Sequence, residues 1–172
     1  CLINDIAVAA ADAVQRGRAQ RVLIVDLDVH QGDGSARMFA DTPEVFTFSM
    51  HAARNFPARK ATSDRDVGLP NDTDDDGYMT VLRQELPELL SQVQPDLVIY
   101  DAGVDVHKDD RLGHLALTNH GLRERDAYVI QEVRQADIPL AAVIGGGYDR
   151  DLEALAARHA FLHHAAAEFL YG

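Results

Sequence analysis

The sequence has one cysteine, Cys1, among 172 residues, and no tryptophan. A single thiol excludes an internal disulfide, so the fold must stand on its apolar core. A chain of this length buries roughly 70% of its extended surface, and 47% of its residues are hydrophobic. No apolar run approaches the ~20 residues of a bilayer span, and no signal peptide is visible. Positive charge is scarce too. Lys and Arg number 16 against 28 Asp and Glu, a formal net charge of −12. That balance excludes a protein held on nucleic acid by a basic face. It also excludes a basic membrane-surface helix. The expectation is a cytoplasmic protein with one domain over residues 1–172. There is no repeat, low-complexity tract or linker. Cys1-Leu2-Ile3-Asn4-Asp5 reads as the interior of a longer sequence, so an N-terminally truncated chain is expected.

What is present is an alternation of helical and strand patterns. Leu2, Ile3, Ile6, Ala10, Ala13 and Val14 recur at helical spacing before Gly17. Residues 21–27 read as a buried strand, 35–40 as a short helix and 45–50 as a second strand. Residues 51–77 read as a long polar loop that includes the acidic cluster Asp72, Asp74, Asp75 and Asp76. That cluster lacks the spacing and closing Glu of a calcium loop, so a solvated loop is expected. Tyr78, Leu82, Leu86 and Leu90 form a helical stripe that Pro87 is expected to kink or split. A third strand follows at 97–100 and a loop at 102–117. Thr118 caps a helix to about Gln135 with Leu122, Val129, Ile130 and Val133 inward. A fourth strand spans 139–144, and a last helix carries Leu152, Leu155, Ala156, His159, Leu162 and Phe169. Helical crossovers of this length imply an α/β fold with a parallel sheet. Ligands then sit at the carboxyl ends of the strands. Three of the four strands end there in conspicuous segments: Asp26–Gly34, Asp101–Asp105 and Gly145–Tyr148.

These segments carry the candidate chemistry. In an extended chain Asp26, Asp28 and His30 share a face. Three ionisable groups at the end of a buried strand need compensation, and a divalent cation supplies it. Carboxylate oxygen and imidazole nitrogen both suit zinc. The alternative is a helix cap and a solvated turn. Asp105, after Gly103, would complete an oxygen–oxygen–nitrogen set with an open position, the arrangement of a catalytic metal. Taken alone, Asp105 or Asp101 could equally cap a loop. In Gly145-Gly146-Gly147-Tyr148 the glycines permit close backbone approach and Tyr148 offers a phenol for an oxyanion. An ordinary tight turn is the alternative. No phosphate-loop spacing accompanies the glycines. His163 and His164 are expected as surface or packing residues. His107 and His114 are expected as exposed loop histidines.

Seven segments, in order along nearly the whole chain, resemble the zinc-dependent histone deacetylase family, which includes bacterial acetylpolyamine amidohydrolases and acetoin-utilisation proteins. They are Asn4-Asp5-Ile6-Ala7, Val25 to Gly34, Ser49-Met50-His51, Asn55-Phe56-Pro57, Asp101 to Asp105, Asp110-Arg111-Leu112-Gly113 and Gly145 to Tyr148. Bacterial and class IV members look most similar. The resemblance implies a partial catalytic domain with an arginase/deacetylase-like, three-layer fold. It implies Zn2+ (or Fe2+) held by Asp28, His30 and Asp105, and Tyr148 as oxyanion donor. It implies Phe56 and Leu112 along an acyl-lysine tunnel, with Gly146 and Gly147 at the substrate. A monovalent cation, K+, is implied near Asp26, Asp28, His30, Ser49 and Met50. The substrate would be an acylated lysine or polyamine. Asp26 and Asp33 match carboxylates that orient two adjacent general acid/base histidines, which the family places upstream of the segment matching Cys1. Asp109 stands where many members have Gly. Two other readings remain. One is a metal-binding fragment or scaffold without catalysis. The other is a magnesium-dependent phosphotransferase with a D-x-D strand end, which the His at position 30 disfavours.

Overall fold

The structure, a computed structural model, describes residues 3–171. Cys1 and Leu2 lie outside the described residues, and with them the expectations for the lone thiol and the first residue of the leading stripe. Ten elements follow in order: α1 (Asp5–Gln15), β1 (Val22–Asp26), α2 (Asp33–Met38), β2 (Val45–Ala52), β3 (Arg65–Leu69), α3 (Asp75–Val93), β4 (Leu97–Gly103), α4 (Asn119–Gln135), β5 (Leu140–Gly145) and α5 (Leu152–Tyr171). The strands form one sheet in the order β3-β2-β1-β4-β5. All four pairings are parallel.

The central place of β1 follows from its composition. Val22-Leu23-Ile24-Val25 is apolar on both faces, as a strand covered on both sides must be. Leu23 and Val25 enter a large core with residues of α3, α4 and α5. Val22 and Ile24 point the other way, into a smaller core with Ala7, Ala10 and Ala13 of α1. The chain is thus a three-layer α/β fold with helices on both faces of a parallel sheet. In register, Asp26 at the end of β1 stands between Ser49 of β2 and Asp101 of β4. Three polar side chains therefore crowd the carboxyl edge of the three central strands.

The helix starts are set by side chains. Asn4 caps α1 by accepting from the Ala7 N–H at 2.9 Å. Thr118 caps α4 as its sequence indicates. The acidic cluster is not merely solvated. Asp74 caps α3, and Asp75 accepts from the Thr118 N–H (2.8 Å) and hydroxyl (2.6 Å). Asp75 therefore ties the start of α3 to the start of α4.

Several expectations are corrected. The sheet has five strands, because the 51–77 segment contains β3; its mostly exposed Arg65-Asp66-Val67-Gly68-Leu69 lacks the apolar run that marks the inner strands. Helix α3 is not split at Pro87 but continues from Asp75 to Val93. The proline costs about 3 kcal/mol in an isolated helix, and burial of Leu82, Leu86, Leu89 and Leu90 around it offsets that cost. Ile3 does not extend the α1 stripe but is exposed. Leu152 and Phe169 are exposed on α5, whereas Leu162 is buried. His107 is buried, with Nδ1 accepting from the Asp109 N–H at 3.1 Å. An isolated parallel bridge from His107 to Leu117 folds that loop back onto itself and explains the burial.

The largest wholly buried side chain is that of Arg125. Its Nη1 donates to the carbonyls of Gly103 (2.6 Å) and Leu27 (3.3 Å), and its Nε to Asp126 (3.0 Å). The Tyr100 hydroxyl donates to the same Asp126 oxygen at 2.6 Å. Removing one partner of a buried ion pair strands the other charge. Arg125→Met should therefore lower stability by about 3–5 kcal/mol. In urea unfolding the midpoint should drop sharply, and the added change Asp126→Leu should recover part of the loss.

Candidate metal centre and active site

The site is built where β1 and β4 end. Gly103, the last residue of β4, passes so close to the chain after β1 that a Cβ on it would lie 2.6 Å from the Asp28 Cα. This approach brings the segment after β1 against the segment after β4. One ligand-type atom each from Asp28, His30 and Asp105 then falls within 4.8 Å of the other two. The backbone holds each side chain in place. Asp28 Oδ1 accepts from the His30 N–H at 2.8 Å, and Asp105 Oδ1 from the Val29 N–H at 2.9 Å. Asp26 Oδ1 accepts from the Asp28 N–H at 3.0 Å. Asp26 supports this segment from below and is not one of the clustered three.

Nδ1 of His30 faces both carboxylates, 2.9 Å from Asp28 Oδ1 and 3.2 Å from Asp105 Oδ2. The contact with Asp28 has hydrogen-bond geometry, and the longer one with Asp105 does not. Asp105 Oδ2 is left buried without a hydrogen-bond donor among the described residues. Contacts with Asp105 and Asp28 push His30 up to about 10. Burial, reinforced by neighbouring carboxylates, pushes Asp101 and Asp105 up to about 7 and Asp26 well above the usual range. Each shift has one sense: the pocket is short of positive charge. An orphaned buried carboxylate oxygen, a second carboxylate and an imidazole nitrogen fit a divalent cation that takes mixed oxygen and nitrogen ligands.

The glycine loop after β5 closes the cluster. Gly146 has φ +57° and Gly147 φ +101°, both in the left-handed region. A Cβ on Gly146 would lie 2.6 Å from Asp28 Oδ2 and would collide with the Asp105 carboxyl group. Gly147 packs instead on Leu155, Val104 and His159. Neither glycine is among the residues that line the open cavity. That cavity holds about 590 Å³ and is walled by His30, Asn55, Phe56, Arg111, Leu112 and Tyr148, among others. The rings of Phe56 and Tyr148 meet His30 edge-on, with centroids 6.3 and 6.1 Å away. Phe56, Leu112 and Tyr148 are 65%, 48% and 43% exposed, which leaves their side chains available to a ligand. Burial, with Asp28, Asp105 and Asp110 nearby, raises the Tyr148 phenol above its ordinary value, so it is protonated at neutral pH.

A polar recess of about 320 Å³ shares His30 with this cavity and is bounded by Asn4, Asp26, Asp28, Asp33 and Asp101. Asp33 opens α2 and pairs with Arg37 at 2.8 Å. Ser49 Oγ contacts His51 Nδ1 at 3.0 Å, and Met50 is buried beside it in β2. His114 is exposed, as are His163 and His164 on α5. A separate groove of about 500 Å³ between α4, β5 and α5 is lined by side chains such as Leu140, Leu162 and Phe169. None of the three clustered ligand-type residues reaches it.

Two contributors were not legible as site residues. Arg125 grips the carbonyls of Leu27 and Gly103, each within two residues of a member of the cluster. Its signal was present: Arg125 and Asp126 fall on the inward stripe of Leu122, Val129 and Val133. Asn55 donates from Nδ2 to the Leu112 carbonyl at 2.8 Å and joins the Phe56 loop to the opposite rim. No local pattern announces such a cross-loop bond. The Gly146 contacts yield a direct test. Gly146→Ala should leave the circular dichroism spectrum native-like and sharply weaken zinc binding measured by calorimetry.

Residues 1–164 match the family described as the histone deacetylase domain. An uncharacterised protein of Picosynechococcus sp. is 56% identical over 168 residues, which is 98% of this chain and 56% of that protein. Histone deacetylase 2 of Arabidopsis thaliana is 35% identical over 152 residues, covering 86% of this chain and 39% of that one. Among solved structures, the acetylpolyamine aminohydrolase from Burkholderia pseudomallei gives a TM-score of 0.81 at 25% identity, over 96% of this chain and 49% of that one. The histone deacetylase Clr3 gives 0.79 at 26% identity, over 95% and 30%. The chain thus spans about half or less of the length of these relatives. The family match nonetheless takes in all five strands and the whole Asp28–His30–Asp105 cluster, and on that extent the chain belongs to the histone deacetylase domain family.

Proposed function

We propose that this chain carries the metal centre of a zinc-dependent deacylase that hydrolyses an N-acyl amide of the acetyl-lysine or acetylpolyamine type. The observation that carries the reading is the buried Asp105 Oδ2 without a hydrogen-bond donor beside Asp28 and His30 Nδ1, with His30 also lining the cavity that Phe56 and Tyr148 wall. Asp28, His30 and Asp105 would hold Zn2+, with Fe2+ as the other candidate. The bound ion supplies Lewis-acid polarisation of the amide carbonyl and lowers the pKa of a water.

Several further roles fall to residues of this chain. Tyr148, protonated at neutral pH, donates its phenolic hydrogen to the developing oxyanion. Phe56 and Leu112 enclose the apolar stem of the acylated amine and exclude water from it. Gly146 lets the backbone lie against the ligand carboxylates. Asp26 and Asp33 border the polar recess next to His30 and would orient the general acid/base histidines expected from the family resemblance. A monovalent cation such as K+ would sit beside Asp26, Ser49 and Met50, with the backbone oxygens of Asp28 and His30. The relatives support this reading by name: one similar structure is an acetylpolyamine aminohydrolase and another a histone deacetylase. The net charge of −12 suits steering of a cationic substrate and disfavours nucleic acid as a direct partner. No described helix is long and apolar enough to cross a membrane. The second reading, a metal-binding scaffold without turnover, draws on the cluster alone: Asp28, His30 and Asp105 gather whether or not general acid/base histidines stand beside them. Assaying this chain with zinc beside a version extended upstream of Cys1 separates the two.

Two outcomes test the reading directly. Asp28→Ala, His30→Ala and Asp105→Ala should each weaken zinc binding by more than the about 10- to 100-fold that loss of an outer hydrogen-bond partner costs. Calorimetric titration with zinc, and with magnesium as control, measures this. Tyr148→Phe should leave zinc affinity intact and slow turnover of an acetyl-lysine peptide by about 10²–10³-fold. Unimpaired turnover in that variant would remove Tyr148 from the mechanism.

A further inference from the structure

Asp110 is half-buried and lies five residues beyond Asp105, immediately before Arg111 and Leu112 of the cavity wall. Its two carboxylate oxygens serve two different loops. Oδ1 accepts from the N–H groups of Leu112 and Gly113, each at 2.8 Å. Oδ2 accepts from the N–H of Tyr148 at 2.6 Å, across 38 residues of sequence. Its own N–H donates to the His107 carbonyl at 2.9 Å, which fixes the start of the turn. The turn has no freedom to drift from the metal centre. Gly113 lies against the carbonyl of Asp105, so close that a Cβ on it would collide with that oxygen. Asn55 then fastens the far side through the Leu112 carbonyl. The backbone of Tyr148 is thus registered, through one side chain, to the backbone of a cluster carboxylate.

We propose that Asp110 is a positioning residue that sets where the Tyr148 phenol stands relative to the Asp28–His30–Asp105 cluster. This rests on the reading of Tyr148 as oxyanion donor given above. The chemistry of the side chain matters. Both oxygens of a carboxylate accept, whereas an amide has one accepting oxygen and an NH2 group that only donates. Asp110→Asn therefore keeps the size and loses one loop or the other. Tyr148 carries two left-handed glycines immediately before it, and without the bond to Asp110 its backbone is released at a flexible point. A displacement of about 1 Å costs roughly 10²-fold in rate.

The test uses Asp110→Asn, Tyr148→Phe and the double variant, in the protein extended upstream of Cys1 and in the chain itself. With an acetyl-lysine peptide, Asp110→Asn should lower kcat by roughly 10²-fold and leave KM nearly unchanged. In the Tyr148→Phe background the same change should add little, because the hydroxyl it positions is gone. A normal kcat in Asp110→Asn, or a fall that multiplies fully with that of Tyr148→Phe, overturns the proposal. Normal turnover in Tyr148→Phe alone overturns the oxyanion reading, and this proposal with it. A second measurement needs no turnover. In the chain labelled with 15N-tyrosine, the Tyr148 amide should exchange slowly with solvent and markedly faster after Asp110→Asn. Unchanged exchange of that amide, with the other tyrosine amides as internal reference, also overturns it.

Discussion

Everything at the carboxyl edge of the sheet depends on how closely β1 and β4 finish. Gly103 has no side chain to keep Asp28 away, and Arg125 grips the carbonyls that precede Asp28 and Asp105. The guanidinium is cationic at any pH at which proteins fold and spreads its donors in a rigid fork. It can bind two carbonyls and a carboxylate at once, where an ammonium would act as a point charge. The strand ends are consequently held together from the core side, while the opposite side presents like-charged carboxylates that repel one another. A cation in the pocket would relieve that repulsion.

The two flanking loops play complementary parts. The glycine loop after β5 supplies proximity, because a backbone with no Cβ at position 146 can lie on the carboxylates themselves. The loop from Asp105 to Gly113 supplies registration, because its bonds run to backbone groups on three sides. Phe56, Leu112 and Tyr148 remain exposed at the mouth while their main chains are fixed. Exposed apolar side chains on a fixed frame suit the wall of a binding cavity.

Much of this was legible in the sequence. The strand ends with Asp28, His30 and Asp105 stood out because charged residues directly following apolar runs are costly without a partner. The helices could be read because Tyr78, Leu82, Leu86 and Leu90 keep their period through Pro87, and packing prevailed over the local penalty. β3 was missed because it lies at the sheet edge and carries Arg65 and Asp66 where an inner strand carries apolar residues. His107 was misread because burial of a loop residue depends on a long-range bridge to Leu117, which no window of sequence contains. The same limit hid the bond from Asp110 to Tyr148, whose partners are far apart along the chain. Arg125 differs: its spacing puts it on the inward stripe with Leu122 and Val129, but nothing local tells which buried carbonyls a guanidinium there would meet.

One feature of the rim bears on how such a protein diversifies. The stitches made by Asp110 and Asn55 all end on main-chain groups of residues 112, 113 and 148. The side chains of Arg111, Leu112 and His114 take no part in them. The side chains there can therefore vary without loosening the frame, and the lining of the cavity mouth can change while the cluster beneath it stays in place.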